Sequence, residues 1–257
     1  KSAVALGLIG TAVGVTACGG GDESADATEP VAPASATSSL PQGSEPANLD
    51  PAEFTTEIDN PYWPMPVGAR WVYSEVDSET GEQQRVVVTV TNETKAIANG
   101  VEARVVRDVV SDQSGSPVEI TDDWYAQDAD GNVWYLGEDT AEYENDKVTT
   151  RAGSFEAGVD GAQAGIIMPA QPEPGLAYRQ EYYEGEAEDE AVVLGVDEMV
   201  TVPTGHYTGA LMTKDLVPTE PKVSELKFYA EGVGPVLTLK IAGGAGREEL
   251  MSFKPGG

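Results

Sequence analysis

The chain has 257 residues, in which 15 Lys and Arg stand against 44 Asp and Glu, a formal net charge of −29. That balance excludes nucleic acid as a partner, because phosphate contacts need clustered cations, and it sets the chain against anionic lipid headgroups. A single cysteine, Cys18, excludes a disulfide framework, and a single histidine, His206, excludes zinc sites built from several imidazoles.

In chain order, the first element is an uncharged run of small and apolar residues from Ala3 to Ala17, preceded by Lys1. It is shorter than the about 20 apolar residues needed to span a bilayer, and its small residues before Cys18 suit processing. The context Val15-Thr16-Ala17-Cys18-Gly19-Gly20-Gly21 resembles a bacterial lipoprotein signal, in which the cysteine takes a lipid and the chain is cut just before it. Residues 1–17 are therefore expected as a signal peptide, with Cys18 lipidated and serving as the membrane contact. This places the protein outside the cytoplasm, lipid-anchored at the cell membrane. Residues 18–52, rich in Gly, Ser, Thr, Ala, Pro and acids, are expected as a disordered tether, with a reach of about 30 Å as a flexible coil.

Residues 53–257 are long enough for one well-buried domain, and their pattern is β throughout. Runs rich in β-branched residues predict strands at 85–91 and 103–110. Trp124 to Gln127 and Val133 to Leu136 flank Asp128-Ala129-Asp130-Gly131-Asn132, which reads as an aromatic hairpin. Further strands are expected at 178–183, 191–196, 209–216, 224–230, 236–241 and 248–253. The run Glu184-Gly185-Glu186-Ala187-Glu188-Asp189-Glu190 reads as a solvated loop. The expected fold is all-β, a curled antiparallel sheet closing as a half-barrel, barrel or sandwich, because about a dozen strands cannot stay flat.

The two halves, 60–165 and 166–257, carry similar segments. Pro64-Met65-Pro66-Val67-Gly68 and Pro172-Glu173-Pro174-Gly175 each lead into an aromatic strand, with their glycines 107 positions apart. Asp123-Trp124-Tyr125-Ala126 and Lys227-Phe228-Tyr229-Ala230 lie 104 apart. A duplicated β-meander and two independent sets of hairpins obeying the same turn chemistry both account for this.

Several segments resemble a family of uncharacterised bacterial lipoproteins and secreted proteins common in actinobacteria. They include Asn60-Pro61-Tyr62-Trp63-Pro64, the stretch from Asp123 to Tyr135, Glu138-Asp139-Thr140-Ala141-Glu142-Tyr143, Ile167-Met168-Pro169-Ala170 and Tyr178-Arg179-Gln180-Glu181-Tyr182. The resemblance implies homologous architecture and a cell-surface setting, and carries no activity to transfer.

No catalytic residue is assigned. No Gly-x-Ser-x-Gly or phosphate-cradling glycine loop occurs, and His206 reads as a turn residue. Carboxylates are the abundant reactive groups. Asp128, Asp130, Asn132, Glu138 and Asp139 offer hard oxygen ligands suited to calcium, although their loop departs from an EF-hand and equally suits a polar hairpin turn. Trp63, Tyr125, Trp134 and Tyr135 are candidate binding aromatics for a lipid, glycan or protein ligand, against a plain core role. Two function classes follow: a ligand- or partner-binding β domain without a resident cofactor, and a carboxylate-dependent secreted hydrolase.

Overall fold

The computed structural model describes residues 40–257, so the expected signal peptide and Cys18 lie outside the described residues. A short 3-10 turn at Pro51–Glu53, capped by the Asp50 carboxylate, leads into β1 (Phe54–Thr55). Fourteen strands follow: β2 (Arg70–Asp77), β3 (Gln83–Ala96), β4 (Glu102–Ser111), β5 (Pro117–Asp128), β6 (Val133–Glu144), β7 (Lys147–Thr150), β8 (Phe155–Glu156), β9 (Gln163–Met168), β10 (Ala177–Tyr183), β11 (Ala187–Val202), β12 (Gly205–Leu216), β13 (Ser224–Ala230), β14 (Gly234–Ala242) and β15 (Gly246–Lys254).

Twelve of them form a closed antiparallel barrel. β2 to β6, then β9, then β10 to β15 each pair with their neighbours in sequence, and β15 pairs back onto β2 from Lys254↔Arg70 to Gly246↔Asp77. Closure removes both sheet edges, which resolves the three expected alternatives in favour of a barrel. β7 and β8 fold back on β6 outside the ring, and β1 pairs with the end of β5.

Local chemistry sets the turns. Asp77, Asp112 and Asp128 each open a hairpin by accepting backbone N–H groups two to four residues on, at 2.7–2.9 Å, so aspartate completes the turn where chain reversal leaves amides unpaired. The acidic run splits in the same way. Glu184–Glu186 form an exposed turn, but Ala187–Glu190 belong to β11, and Asp189 faces the barrel interior rather than solvent as expected.

The core has two parts. The larger fills the barrel, with Trp71, Tyr178, Tyr229, Ile166, Met168, Leu211 and Leu250 almost wholly buried. The smaller lies on the outer face, where Val105, Trp124, Ala126 and Leu136 are covered by Leu49 and Phe54. Residues 40–52, expected as the end of a tether, are therefore part of the folded unit. Arg179 on β10 explains how this polar stretch is held: its guanidinium is fully buried and donates to the Gly43 and Glu45 carbonyls at 2.7 and 2.6 Å and to the Ala164 carbonyl at 2.6 Å.

The expected halves are not separate units. Six strands, β2–β6 and β9, and six more, β10–β15, complete one ring, and the division falls between Met168 and Ala177 rather than at 165/166. The similar segments nevertheless occupy equivalent places. Tyr125 on β5 and Tyr229 on β13 are each on the fourth strand of their half, and both rings pack against Trp63.

Candidate functional site: the barrel lumen

Successive side chains on a strand point to opposite faces, so every second residue enters the lumen. On β2 these are Trp71, Tyr73 and Glu75; on β13, Glu225, Lys227 and Tyr229; on β5, Glu119, Thr121, Asp123 and Tyr125. Given the strand directions, all the rings lie toward one mouth and all the carboxylates toward the other.

The aromatic mouth is plugged by residues 58–67. The Gln127 side-chain oxygen, Oε1, accepts from the Asp59 and Asn60 backbone amides, Asn60 Nδ2 donates to the Gly131 and Pro169 carbonyls, and the Gly232 amide donates to the Pro61 carbonyl. This frame lowers Trp63 between Tyr125 and Tyr229, with ring centroids 5.9 and 5.8 Å away. Gly234 makes the space: its φ is +101°, and a Cβ there would stand 3.1 Å from Trp63 Cδ1.

Below the plug lies a cavity of about 160 Å³. Tyr125 and Tyr135 stack above it at 5.0 Å, and the β5–β6 ladder then continues in like pairs: Asp123 opposite Glu138, Thr121 opposite Thr140, Glu119 opposite Glu142. Like charges directly opposite one another are unfavourable. Tyr135 Oη lies 2.8 Å from Asp123 Oδ1 and 2.7 Å from Glu138 Oε2. A phenol has one proton to donate, so both short contacts are hydrogen bonds only when one carboxyl is protonated and donates back.

Desolvation acts in the same direction, opposed in part by the phenol. Asp123 is raised to about 7 and Glu138 to about 8, the latter also by the charge of Asp123. Desolvation first, then neighbouring carboxylates, raises Glu75 to about 8 and Glu119 to about 7, and pushes Asp108 and Glu181 well above the usual carboxylate range. The cation among the described residues that line the cavity is Lys227, which is committed to Asp215 at 2.8 Å. Glu181 is only 4% exposed, and its Oε1 has no hydrogen-bond partner among the described residues.

Three of the four expected binding aromatics thus meet here: Trp63, Tyr125 and Tyr135. Trp134 does not. It lies on the outer face of β6, edge-on to Phe54, with its indole N–H on Asp128 Oδ2 at 2.7 Å. The five oxygen ligands proposed for calcium are not brought together either. Asp128 is occupied by the Asn132 amide, Asn132 Nδ2 and Trp134, and Asn132 Oδ1 by the Ala170 amide. Asp130 is exposed at the hairpin tip, while Glu138 faces the lumen and its neighbour Asp139 faces outward to Arg151. Among the described residues, no group of three acidic, His or Cys side chains is arranged to hold a metal ion. His206 is exposed beside Thr201 in the β11–β12 hairpin.

Sequence reasoning missed Glu75, Asp108, Glu181, Asp189, Lys227 and Tyr229. The usable signal was period-two alternation, as in Glu225-Lys227-Tyr229, but alternation alone does not tell a polar interior from a polar exterior.

No protein-family model matches the chain, and comparison with curated proteins gives no match. Among solved structures it is similar to a protein described as exported and as having a YmcC-like fold, from Bacteroides fragilis, at 14% identity and a TM-score of 0.46, over 76% of this chain and 99% of that one. It is also similar to a protein described as a lipoprotein, from Parabacteroides distasonis (14%, TM-score 0.41, 75% and 98%). A third is a beta-barrel-like protein of a domain of unknown function from Brucella abortus (11%, TM-score 0.36, 74% and 98%). Likeness at this level is one of broad outline, and the barrel described above rests on its own strand pairing.

Proposed function

We propose that this chain is an extracytoplasmic lipoprotein, anchored through Cys18, whose barrel lumen binds a small ligand. The observation that carries the binding reading is the cavity itself: about 160 Å³, roofed by stacked rings and walled by carboxylates, three of which, Asp108, Glu181 and Asp189, have a buried oxygen without a partner among the described residues. A cavity of about 150 Å³ accommodates a molecule of benzene's size, so the ligand is a small molecule rather than a lipid chain or a folded partner. The anchor reading draws on the residues around Cys18. Among the described residues no helix is long and apolar enough to cross a membrane. Arg107, Asp122, Arg247 and Glu249 occupy outward ladder positions, the reverse of the apolar belt of a membrane-spanning barrel.

Native mass spectrometry of protein purified from its own membranes tests both parts. The expected species carries acyl mass on Cys18 and one small adduct, and Cys18→Ala sends the protein to the soluble fraction with its melting unchanged. Absence of acyl mass contradicts the anchor, and absence of any adduct contradicts the binding reading.

A second reading, a carboxylate-dependent hydrolase, draws on Asp123 and Glu138, which share one phenol and are raised together so that one supplies an acid and the other a base. Hydrolysis of a small ester such as phenyl acetate by the wild type, lost in Asp123→Asn, would favour it over simple binding.

A further inference from the structure

Hydrogen-bonding capacity in the lumen is unbalanced. Donors on its wall are few and engaged within the protein: Tyr73 Oη donates to the Pro235 carbonyl at 3.0 Å, Lys227 Nζ pairs with Asp215 at 2.8 Å, and Thr121 and Thr140 share one hydroxyl–hydroxyl bond at 2.7 Å. Acceptors are in excess. Glu75 Oε2, Asp108 Oδ1, Glu181 Oε1 and Asp189 Oδ1 are buried without a partner among the described residues, and an unmade bond at a buried carboxylate is costly. Asp108, Glu181 and Asp189 line the same cavity as the rings of Tyr125, Tyr135 and Tyr229.

We propose that the lumen selects a small organic cation bearing N–H donors, a primary alkyl- or aralkylammonium, seated with its ammonium on Glu181 and Asp189, which stand opposite one another on β10 and β11, and its apolar part against the tyrosines. This rests on the reading of the lumen as a ligand site and specifies its ligand. An ammonium brings donors and no acceptor, which is what the wall lacks. Its charge favours the ionised form of Glu181 and Asp189, which burial otherwise disfavours, and the ring faces add a cation–π attraction. A sugar brings acceptors along with its donors, a carboxylate ligand is repelled, and a bare metal ion finds no converging ligand set here.

Calorimetric titration of the full chain in detergent at pH 7.5 with benzylamine, benzyl alcohol and benzoate separates the outcomes. The first two share shape and differ in charge. Benzylamine is expected to bind at least about tenfold more tightly than benzyl alcohol, with no binding of benzoate. In Glu181→Gln, which keeps the side chain's size, the preference should fall below about threefold. Asp189→Asn serves as a second variant should the first unfold. Equal binding of benzylamine and benzyl alcohol would overturn the charge selection while leaving a lumen site; no binding of either would remove the site as well.

Discussion

The two ends of the lumen are built from the same strands and differ by one inward position. Moving two residues along β2 takes Tyr73 to Glu75; on β5 it takes Tyr125 to Asp123; on β13 it takes Tyr229 to Lys227. At the plugged end the inward residues bury large apolar area, and Trp71 is 1% exposed with its indole N–H on the Val233 carbonyl at 2.7 Å. At the other end the next inward positions are charged, Glu75, Asp123 and Lys227, and among the acids there Glu75, Asp108, Glu181 and Asp189 each have a buried oxygen without a partner among the described residues. One end stabilises the barrel and the other costs it stability, the division expected where a wall is kept for binding rather than for the core.

That contrast is open to attack from either end. The largest effect is expected at the aromatic end: Trp71→Ala removes a fully buried ring stacked on Phe253 at 5.3 Å, and equilibrium urea unfolding should read a loss of about 3–5 kcal/mol. A loss under about 1 kcal/mol would mean that this end is not the core.

The carboxylate end should respond in the opposite sense, and to pH. With folded-state values raised to about 7 for Asp123 and Glu119 and about 8 for Glu138 and Glu75, the folded chain keeps protons that the unfolded chain releases. Stability is therefore greatest toward the acid side of this window and falls as pH rises through 7 and 8. The melting midpoint should drop on the order of 5 °C between pH 5.5 and 8.5. Glu138→Gln should raise the midpoint at pH 8.5 and flatten the slope, whereas a steeper slope would contradict a desolvated pair.

The smallest effect is expected outside the lumen. Asp128→Ala removes the acceptor that closes the β5–β6 turn, and should cost about 1 kcal/mol with no change in the pH slope. A changed slope would tie the turn to the lumen carboxylates and blur the division between the two ends.

Much of the barrel was legible in the sequence because strands and turns are local. The β-branched runs at 85–91 and 103–110 lie inside β3 and β4, and the expected strand 224–230 coincides with β13. β9 escaped because Gln163-Ala164-Gly165-Ile166-Ile167-Met168 has a glycine at its centre and little alternation. The strap at 40–52 escaped because its attachment is not local: polar residues of low-complexity composition are held by Arg179, more than 130 positions away. Within the site, Tyr125 and Tyr135 were singled out as rings in a hairpin. Asp189 reads from sequence as part of a solvated acidic loop and Glu181 as one residue of the strand expected at 178–183, and only closure of the sheet turns them inward.

The most direct test of the lumen is a carbon-13 carboxyl NMR titration of Asp123 and Glu138. The pair should ionise in two steps near pH 7 to 8, and saturation with benzylamine should move both steps downward as a cation takes its place beside them. Ionisation of both groups near pH 4, as for acids in free contact with water, would contradict the closed, acid-walled lumen.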